Sequence, residues 1–201
     1  MKKLTPSKRV AGRGGIEKSE KRPWQDNLAR LSLYFVVASF AGHWLEMAVQ
    51  LWLRIIGNEG TSFGIGYQPL EPYPVYGIAV VVMVVLWQSL PKKVTKNLPL
   101  AFLVLTAVCV VAEYFVGRVA IWWFGQNPFW CYLDKPFNLH GLVSLQNALL
   151  FGIAATMFMF LVFPLAEKGL NKLSRCVLFV SAGLALIIFT VCHVLFGTPL
   201  W

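Results

Sequence analysis

Apolar residues gather into five long stretches along this chain, and short polar segments separate them. A run of about 20 mostly apolar residues can cross a bilayer core of about 30 Å as an α-helix. The pattern therefore predicts an all-α, polytopic integral membrane protein built as a bundle of five transmembrane helices. The predicted spans are 31–53, 75–90, 98–124, 142–163 and 177–196.

The first span carries a stripe of polar residues. Ser39, His43, Glu46 and Gln50 recur every three or four positions. This spacing keeps side chains on one face of a helix. A carboxylate set in hydrocarbon costs at least a few kcal/mol, so such a residue usually faces a partner or a wet cavity. The stripe therefore predicts a polar pocket within the bundle.

The second span is unusually short. Only 16 residues separate Pro74 from Pro91, which corresponds to about 24 Å of helix. The preceding segment, 54–74, is rich in glycine and proline. Non-helical backbone at membrane depth is tolerated where it packs against protein or water. We therefore expect a partly re-entrant outer loop.

The distribution of charge predicts the orientation. The chain is 57% hydrophobic and 13% charged, with a net charge of +9, whereas a soluble domain has about 25% charged residues. Nine of the 18 Lys and Arg residues precede Leu31, and six more lie in segments 91–97 and 164–176. Basic residues in alternate loops indicate a cytoplasmic N-terminus and an outer C-terminus, in a plasma or inner membrane. Nucleic acid is not an expected partner, because no nucleic-acid-binding motif accompanies the charge.

Two parts of the chain differ in composition. Residues 1–23 are basic and have few large apolar side chains, which predicts a disordered cytoplasmic tail. Residues 24–201 are expected to form a single five-span membrane domain. The first span lacks a small-residue cleavage site, so we interpret it as a retained span rather than a signal peptide.

Polar residues from different spans are predicted to lie at one depth. Glu46 and Glu113 each lie 15 residues beyond the predicted inner end of their span, at a height of about 22 Å. Gln146, Asn147 and, with less support, His193 fall at similar heights of about 20 to 24 Å. We therefore expect these groups to meet in the outer half of the membrane.

Several chemistries fit such a cluster. Two carboxylates in one apolar site repel each other, so a shared proton or a cation would stabilise them, as in proton-coupled transport. A metal ion is a weaker possibility, with His43, Glu46, Glu113 and His140 as its ligands. A structural polar network that only fixes helix register is the third. The four cysteines show no C-x-x-C spacing, and nothing in the sequence decides whether Cys131 pairs with another cysteine.

Several short stretches resemble one family in order and approximate spacing. They are Gly42-His43-Trp44-Leu45-Glu46, Asn58-Glu59-Gly60, Pro74-Val75-Tyr76-Gly77, Glu113-Tyr114, Trp130-Cys131-Tyr132, Asp134 to Gly141 and Pro164 to Lys168. The chain resembles the multi-pass proteins of the ABC-transporter type IV group, which includes the transmembrane protein 229 group. The likeness covers about residues 30 to 170.

The resemblance implies a permease, and this chain departs from the family pattern at several outer positions. His43 stands where the family usually has Trp, Cys131 where it has Asp, and His140 where it has a second Asn. The family's Asn-Arg-Gly is Asn58-Glu59-Gly60 here. These changes are consistent with a branch that has its own ligand.

Three functions remain open on the sequence alone. The first is a permease-like subunit that binds or translocates a small molecule, ion or lipid, working as a homo-oligomer or with a separate ATPase. The second is an intramembrane lipid-acting or metal-binding enzyme, and the third is an assembly subunit of a membrane complex. No Walker A, G-x-S-x-G or H-E-x-x-H motif occurs, so we favour a protein that is not an enzyme. The predicted pocket residues are His43, Glu46, Gln50, Glu113, Tyr114, Asn138, His140, Gln146 and Asn147, with Ser39 beside them.

Overall fold

A computed structural model describes residues 23–55, 70–127 and 129–197, except for the side chains of residues 50, 53 and 54. The predicted N-terminal tail, most of the predicted re-entrant loop and the last four residues lie outside the described residues. The side chain of Gln50 does so too.

Helices dominate the described residues. They are α1 (Trp24–Ile55), α2 (Pro74–Ser89), α3 (Lys92–Thr95), α4 (Leu98–Phe124), α5 (Leu145–Met157), α6 (Phe163–Leu170) and α7 (Arg175–Phe196). A π-helical turn, Phe158–Val162, joins α5 to α6. Two short strands, β1 (Asn138–Leu139) and β2 (Val143–Ser144), pair antiparallel before α5.

Four helical segments of the described chain are long and apolar enough to cross a membrane. They are Trp24–Val49, Leu98–Phe124, Leu145–Leu170 and Arg175–Phe196. Helix α2 is apolar but has only 16 residues. The prediction of a helical membrane protein is therefore confirmed, whereas the fifth span and the re-entrant loop stay predictions.

Two helices begin at residues other than the first residues of the predicted spans. Helix α1 begins at Trp24 rather than Leu31, because polar residues of its first turns have partners within the bundle. Asp26 pairs with an arginine of α7, and Arg30 pairs with a glutamate of α6. The fourth helix begins at Leu145 rather than Leu142, because residues 143–144 pair with β1 and Ser144 then caps the helix. The Ser144 hydroxyl accepts a hydrogen bond from Asn147 N at 3.3 Å, as is typical of an N-cap.

Helix α1 packs closely against α2 and α7, while α4 packs against α5. Helices α1 and α7 run in the same direction, since Ala29 packs against Leu178 and Ala182. The rings of Phe35 and Phe189 meet further along both helices at 4.9 Å. The bundle thus contains two groups of helices, α1–α2–α7 and α4–α5–α6.

Aromatic and polar side chains connect these two groups. Trp87 of α2 contacts Phe160 in the π-helical turn, with ring centroids 5.4 Å apart. This contact extends the apolar cluster of Leu105, Ala155 and Met159. At one end of the bundle, Arg30 and Tyr34 of α1 contact Glu167 of α6. At the other end, each group of helices contributes a carboxylate that meets a tyrosine.

We call one end of the bundle the basic end. It comprises the start of α1, the end of α2, α3, the end of α6 and the start of α7. Gln88 of α2, Asn27 of α1 and Glu167 of α6 line one small cavity there, which shows that these helix ends lie together.

Candidate functional site

The polar stripe of α1 faces α2, and Glu46 meets a tyrosine there. The hydroxyl of Tyr76 donates a hydrogen bond to Glu46 Oε1. Gly42 makes this contact possible, because a Cβ at this position would overlap the ring of Tyr76. The glycine lets the first turn of α2 approach α1 closely, and that approach sets the phenol beside the carboxylate.

Glu113 of α4 also meets a tyrosine. The hydroxyl of Tyr132, in the loop after α4, donates to Glu113 Oε1 at 3.0 Å. The second carboxylate oxygen, Oε2, is buried and has no hydrogen-bond partner among the described residues. The side chain of Asn147, near the start of α5, also hydrogen-bonds to Tyr132. Residues from α4, the loop and α5 therefore share one contact point.

The charges of both carboxylates act on Tyr132. Burial raises the pKa of the Tyr132 hydroxyl well above its ordinary value, and the charge of Glu113 and, to a smaller extent, Glu46 raises it further. Glu46 therefore lies close enough to act on Tyr132 electrostatically. We call Glu46, Tyr76, Glu113, Tyr132 and Asn147 the carboxylate cluster. Its members come from both groups of helices, and it lies at the end opposite the basic end.

The segment that leads into α2 packs beneath this cluster. Ser39 and His43 are fully buried, and the His43 ring packs edge-on against Tyr73 at 4.6 Å. Tyr73 N donates to Ser39 O at 3.0 Å. Burial raises the pKa of the Tyr73 hydroxyl to about 12, with further contributions from Glu71 and Glu46. Glu71 is also buried and brings a third carboxylate to this side of the bundle.

The sequence also matches a known protein family. The family model described as "Putative ABC-transporter type IV" matches residues 33–196. The chain belongs to this family. The matched range includes every residue of the carboxylate cluster. The comparisons with curated proteins and with solved structures give no match.

The remaining predicted residues of this family member lie in several places. Tyr114 pairs with His140, whose Nδ1 lies 3.0 Å from the tyrosine hydroxyl. Asn138 shapes its own loop, because it donates to Lys135 O at 2.9 Å and accepts from Gly141 N at 3.0 Å. Gln146 is exposed. That these residues line a ligand pocket stays a prediction.

His193 does not join the described contacts of the cluster. It is exposed and stacks on Phe189, one turn earlier on α7, with centroids 5.8 Å apart. Its predicted height gave no information about the direction in which it points.

A metal site finds no support in the described part of the chain. Within residues 23–55, 70–127 and 129–197, no three His, Cys, Asp or Glu side chains come together in a way that could hold an ion. His140 is engaged with Tyr114 rather than with either carboxylate. The predicted ligand set of His43, Glu46, Glu113 and His140 stays a prediction.

Sequence reasoning missed the tyrosine partners of both carboxylates. Tyr76 and Tyr132 lie in two stretches that carry the family resemblance, Pro-Val-Tyr-Gly and Trp-Cys-Tyr. Their position in those motifs was therefore an available signal. Aromatic residues near span ends, however, are usually read as an interfacial belt.

A second polar site, at the basic end, was also missed. Arg30 Nη1 lies 3.1 Å from Glu167 Oε2, and Tyr34 donates to Glu167 Oε1 at 3.0 Å. Both charged side chains are largely buried. Arg30 precedes the range that the family model matches, and 137 positions separate the partners. No local spacing could have revealed this pair.

Proposed function

We propose that this protein is a permease-like membrane subunit whose carboxylate cluster binds a small ligand with a positively charged group. One observation carries the proposal. Glu46 and Glu113 both meet tyrosine hydroxyls, and neither forms an ion pair with any described residue. Such a pair of acids in a largely apolar bundle favours a cation or a proton as its missing partner.

A phenol and a cation differ in how far they stabilise a carboxylate inside the bundle. A hydrogen bond to a charged group contributes about 1.5–3 kcal/mol. Desolvating an ion inside a protein costs several kcal/mol. One phenol therefore offsets only part of the cost of each carboxylate. A ligand cation would offset the rest, and its binding free energy would come from this incomplete compensation.

The position of the cluster supports a transport role over a purely static one. Glu46 and Tyr76 belong to one group of helices, while Glu113 and Asn147 belong to the other. A ligand that prefers one relative arrangement of these groups would shift the population of that arrangement. Movement of one helix group against the other around a fixed site is a general way to alternate access.

The finer predictions belong to the same proposal. They are five spans, an N-terminus in the cytoplasm, an outer-facing cluster, and a separate ATPase or a second copy as partner. The contact of Tyr73 N with Ser39 O supports a loop that enters the membrane. Ser39 lies 16 residues before the end of α1, which is about 24 Å along the helix axis.

The assembly alternative has one observation in its favour. The two tyrosine–carboxylate hydrogen bonds hold α1 to α2 and α4 to its following loop, so they would also stabilise the bundle without any ligand. A lipid-acting enzyme would need the same carboxylates as acid and base. Binding measurements separate these readings.

The decisive experiment uses the purified protein and a series of cations from sodium to tetramethylammonium. We expect at least one cation to raise the thermal unfolding midpoint of the wild type. The same cation should cross the membrane of proteoliposomes that contain the wild-type protein. Glu46→Gln and Glu113→Gln should each abolish both effects. Asp134→Asn is the matched control, since Asp134 is an exposed acid in the outer loop. Folded Gln variants that retain the wild-type response would refute the proposal.

A further inference from the structure

Five exposed lysines surround the basic end of the bundle. Two helix connections supply them, α3 with its flanks and the α6–α7 segment, and both connections lie at this end. The lysines are Lys92, Lys93, Lys96, Lys168 and Lys172. We call this set the lysine face. No member forms an ion pair with a described residue.

The described acids at the basic end, Asp26 and Glu167, are paired with arginines. Asp26 Oδ1 lies 2.9 Å from Arg175 Nη2. Glu167 binds Arg30 at 3.1 Å and also accepts a hydrogen bond from Tyr34. Because these carboxylates bind arginines, neither of them pairs with a lysine of the lysine face.

Large apolar side chains are exposed beside the lysines. Leu165 is 69% exposed and lies three residues before Lys168, and Leu173 follows Lys172 directly. Leu98 at the start of α4 is exposed, as is Trp24 at the start of α1. Lysine stems extend along apolar surface while their ammonium groups reach the headgroup region. Tryptophan is typical of that same region.

We propose that the lysine face binds the headgroups of anionic phospholipids. A phospholipid offers a phosphate beside an acyl chain, so it matches both the lysines and the exposed leucines. An acidic protein would match only the charges. Clusters of four to eight basic residues next to a membrane span are a general pattern for anionic-lipid binding. This inference does not depend on the function of the carboxylate cluster.

The test uses the full-length protein in phosphatidylcholine vesicles with a trace of spin-labelled lipid. The measured quantity is the association of labelled phosphatidylglycerol relative to labelled phosphatidylcholine. We expect a preference for phosphatidylglycerol of about fivefold in the wild type, lowered by about 0.5 M salt because the attraction is electrostatic. Replacement of all five lysines by Gln should reduce the preference at least threefold.

The matched control replaces basic residues at the opposite end. Lys135→Gln and Arg118→Gln remove two positive charges from the outer loop and the outer part of α4, and they should leave the preference unchanged. If the variant with all five lysines replaced fails to fold, two double variants take its place. Lys92→Gln with Lys93→Gln, and Lys168→Gln with Lys172→Gln, should each lower the preference for phosphatidylglycerol in part. A wild type without a phosphatidylglycerol preference, or with a preference that salt does not lower, overturns the proposal. An acidic protein partner would then be the better interpretation of the lysine face.

Discussion

The acids at the two ends of the bundle differ in their partners. At the basic end, Glu167 has an arginine and a tyrosine as partners. In the carboxylate cluster, Glu46 and Glu113 have tyrosines and no described cation. An acid with a cation partner forms a neutral unit that holds helices together. An acid with only a phenol keeps a charge or a proton that a ligand can use.

The largest change in stability is expected when Glu167, the acid at the basic end, loses its charge. Glu167→Gln leaves Arg30 buried without a counter-ion, which should lower the free energy of unfolding by about 3 kcal/mol. Denaturation in mild detergent measures this loss. The control is Asp26→Asn, which breaks the pair with the exposed Arg175 and should cost no more than about 1 kcal/mol. Equal losses in the two variants would mean that the buried pair has no special role.

The next largest effect concerns the close approach of α1 and α2. Gly42→Leu would place side-chain atoms where the Tyr76 ring lies. We expect a loss of about 1–3 kcal/mol together with loss of cation binding. Gly183→Ala is the control, because a Cβ there meets open space and should stabilise the helix by up to about 1 kcal/mol. A folded Gly42→Leu variant of wild-type stability would contradict the proposed geometry.

Neutralising an acid in the carboxylate cluster should raise the stability of the protein rather than lower it. Glu113→Gln retains an oxygen that can accept from Tyr132 but removes a charge that has no described counter-ion. We expect stability to rise by about 1 kcal/mol, as is common where function requires a destabilised site. The same denaturation assay tests this. If Glu113→Gln lowered the free energy of unfolding as much as Glu167→Gln does, Glu113 would have a cation partner as well. The two ends of the bundle would then not differ.

The smallest expected effect appears at alkaline pH. The pKa of Tyr132 is raised in the folded protein above an unfolded value of about 10. Its contribution to stability is therefore complete below about pH 10 and is lost as the pH rises toward the folded pKa. Between about pH 10 and 11, unfolding should become easier by about 1 kcal/mol for this residue. In Tyr132→Phe, the free energy of unfolding should fall less between these two pH values, because the contribution of Tyr132 is absent. Melting curves at both pH values measure this difference.

Much of the fold could be predicted because membrane insertion depends on local composition. The third span was predicted at 98–124 and α4 has those bounds. The heights of Glu46 and Glu113 follow from the rise per residue, so both could be assigned to the same level. Their shared neighbour Tyr132 could not be predicted, since its position depends on how a loop folds back over α4.

Contacts between residues on different helices could not be predicted from the sequence. Gly42 and Tyr76 meet because α1 and α2 are antiparallel and close, and this registry depends on packing. Arg30 precedes the predicted first span, yet it is buried against Glu167. Asn138, whose place in a pocket stays a prediction, also holds local backbone through hydrogen bonds with Lys135 and Gly141. In each case the partner is distant in sequence or the role is local backbone geometry.

The π-helical turn at Phe158–Val162 determines which way α6 faces. In an uninterrupted α-helix, the 12 residues from Ala155 to Glu167 would rotate the glutamate about 120° away from the core-facing alanine. A π turn absorbs one additional residue, which reduces that rotation to about 20°. If the same 12 residues formed an uninterrupted α-helix, Glu167 would turn away from α1 and Arg30 would lose this partner. The π turn therefore lets a hydrophobic span with one surplus residue bring its glutamate to the charged end of the bundle.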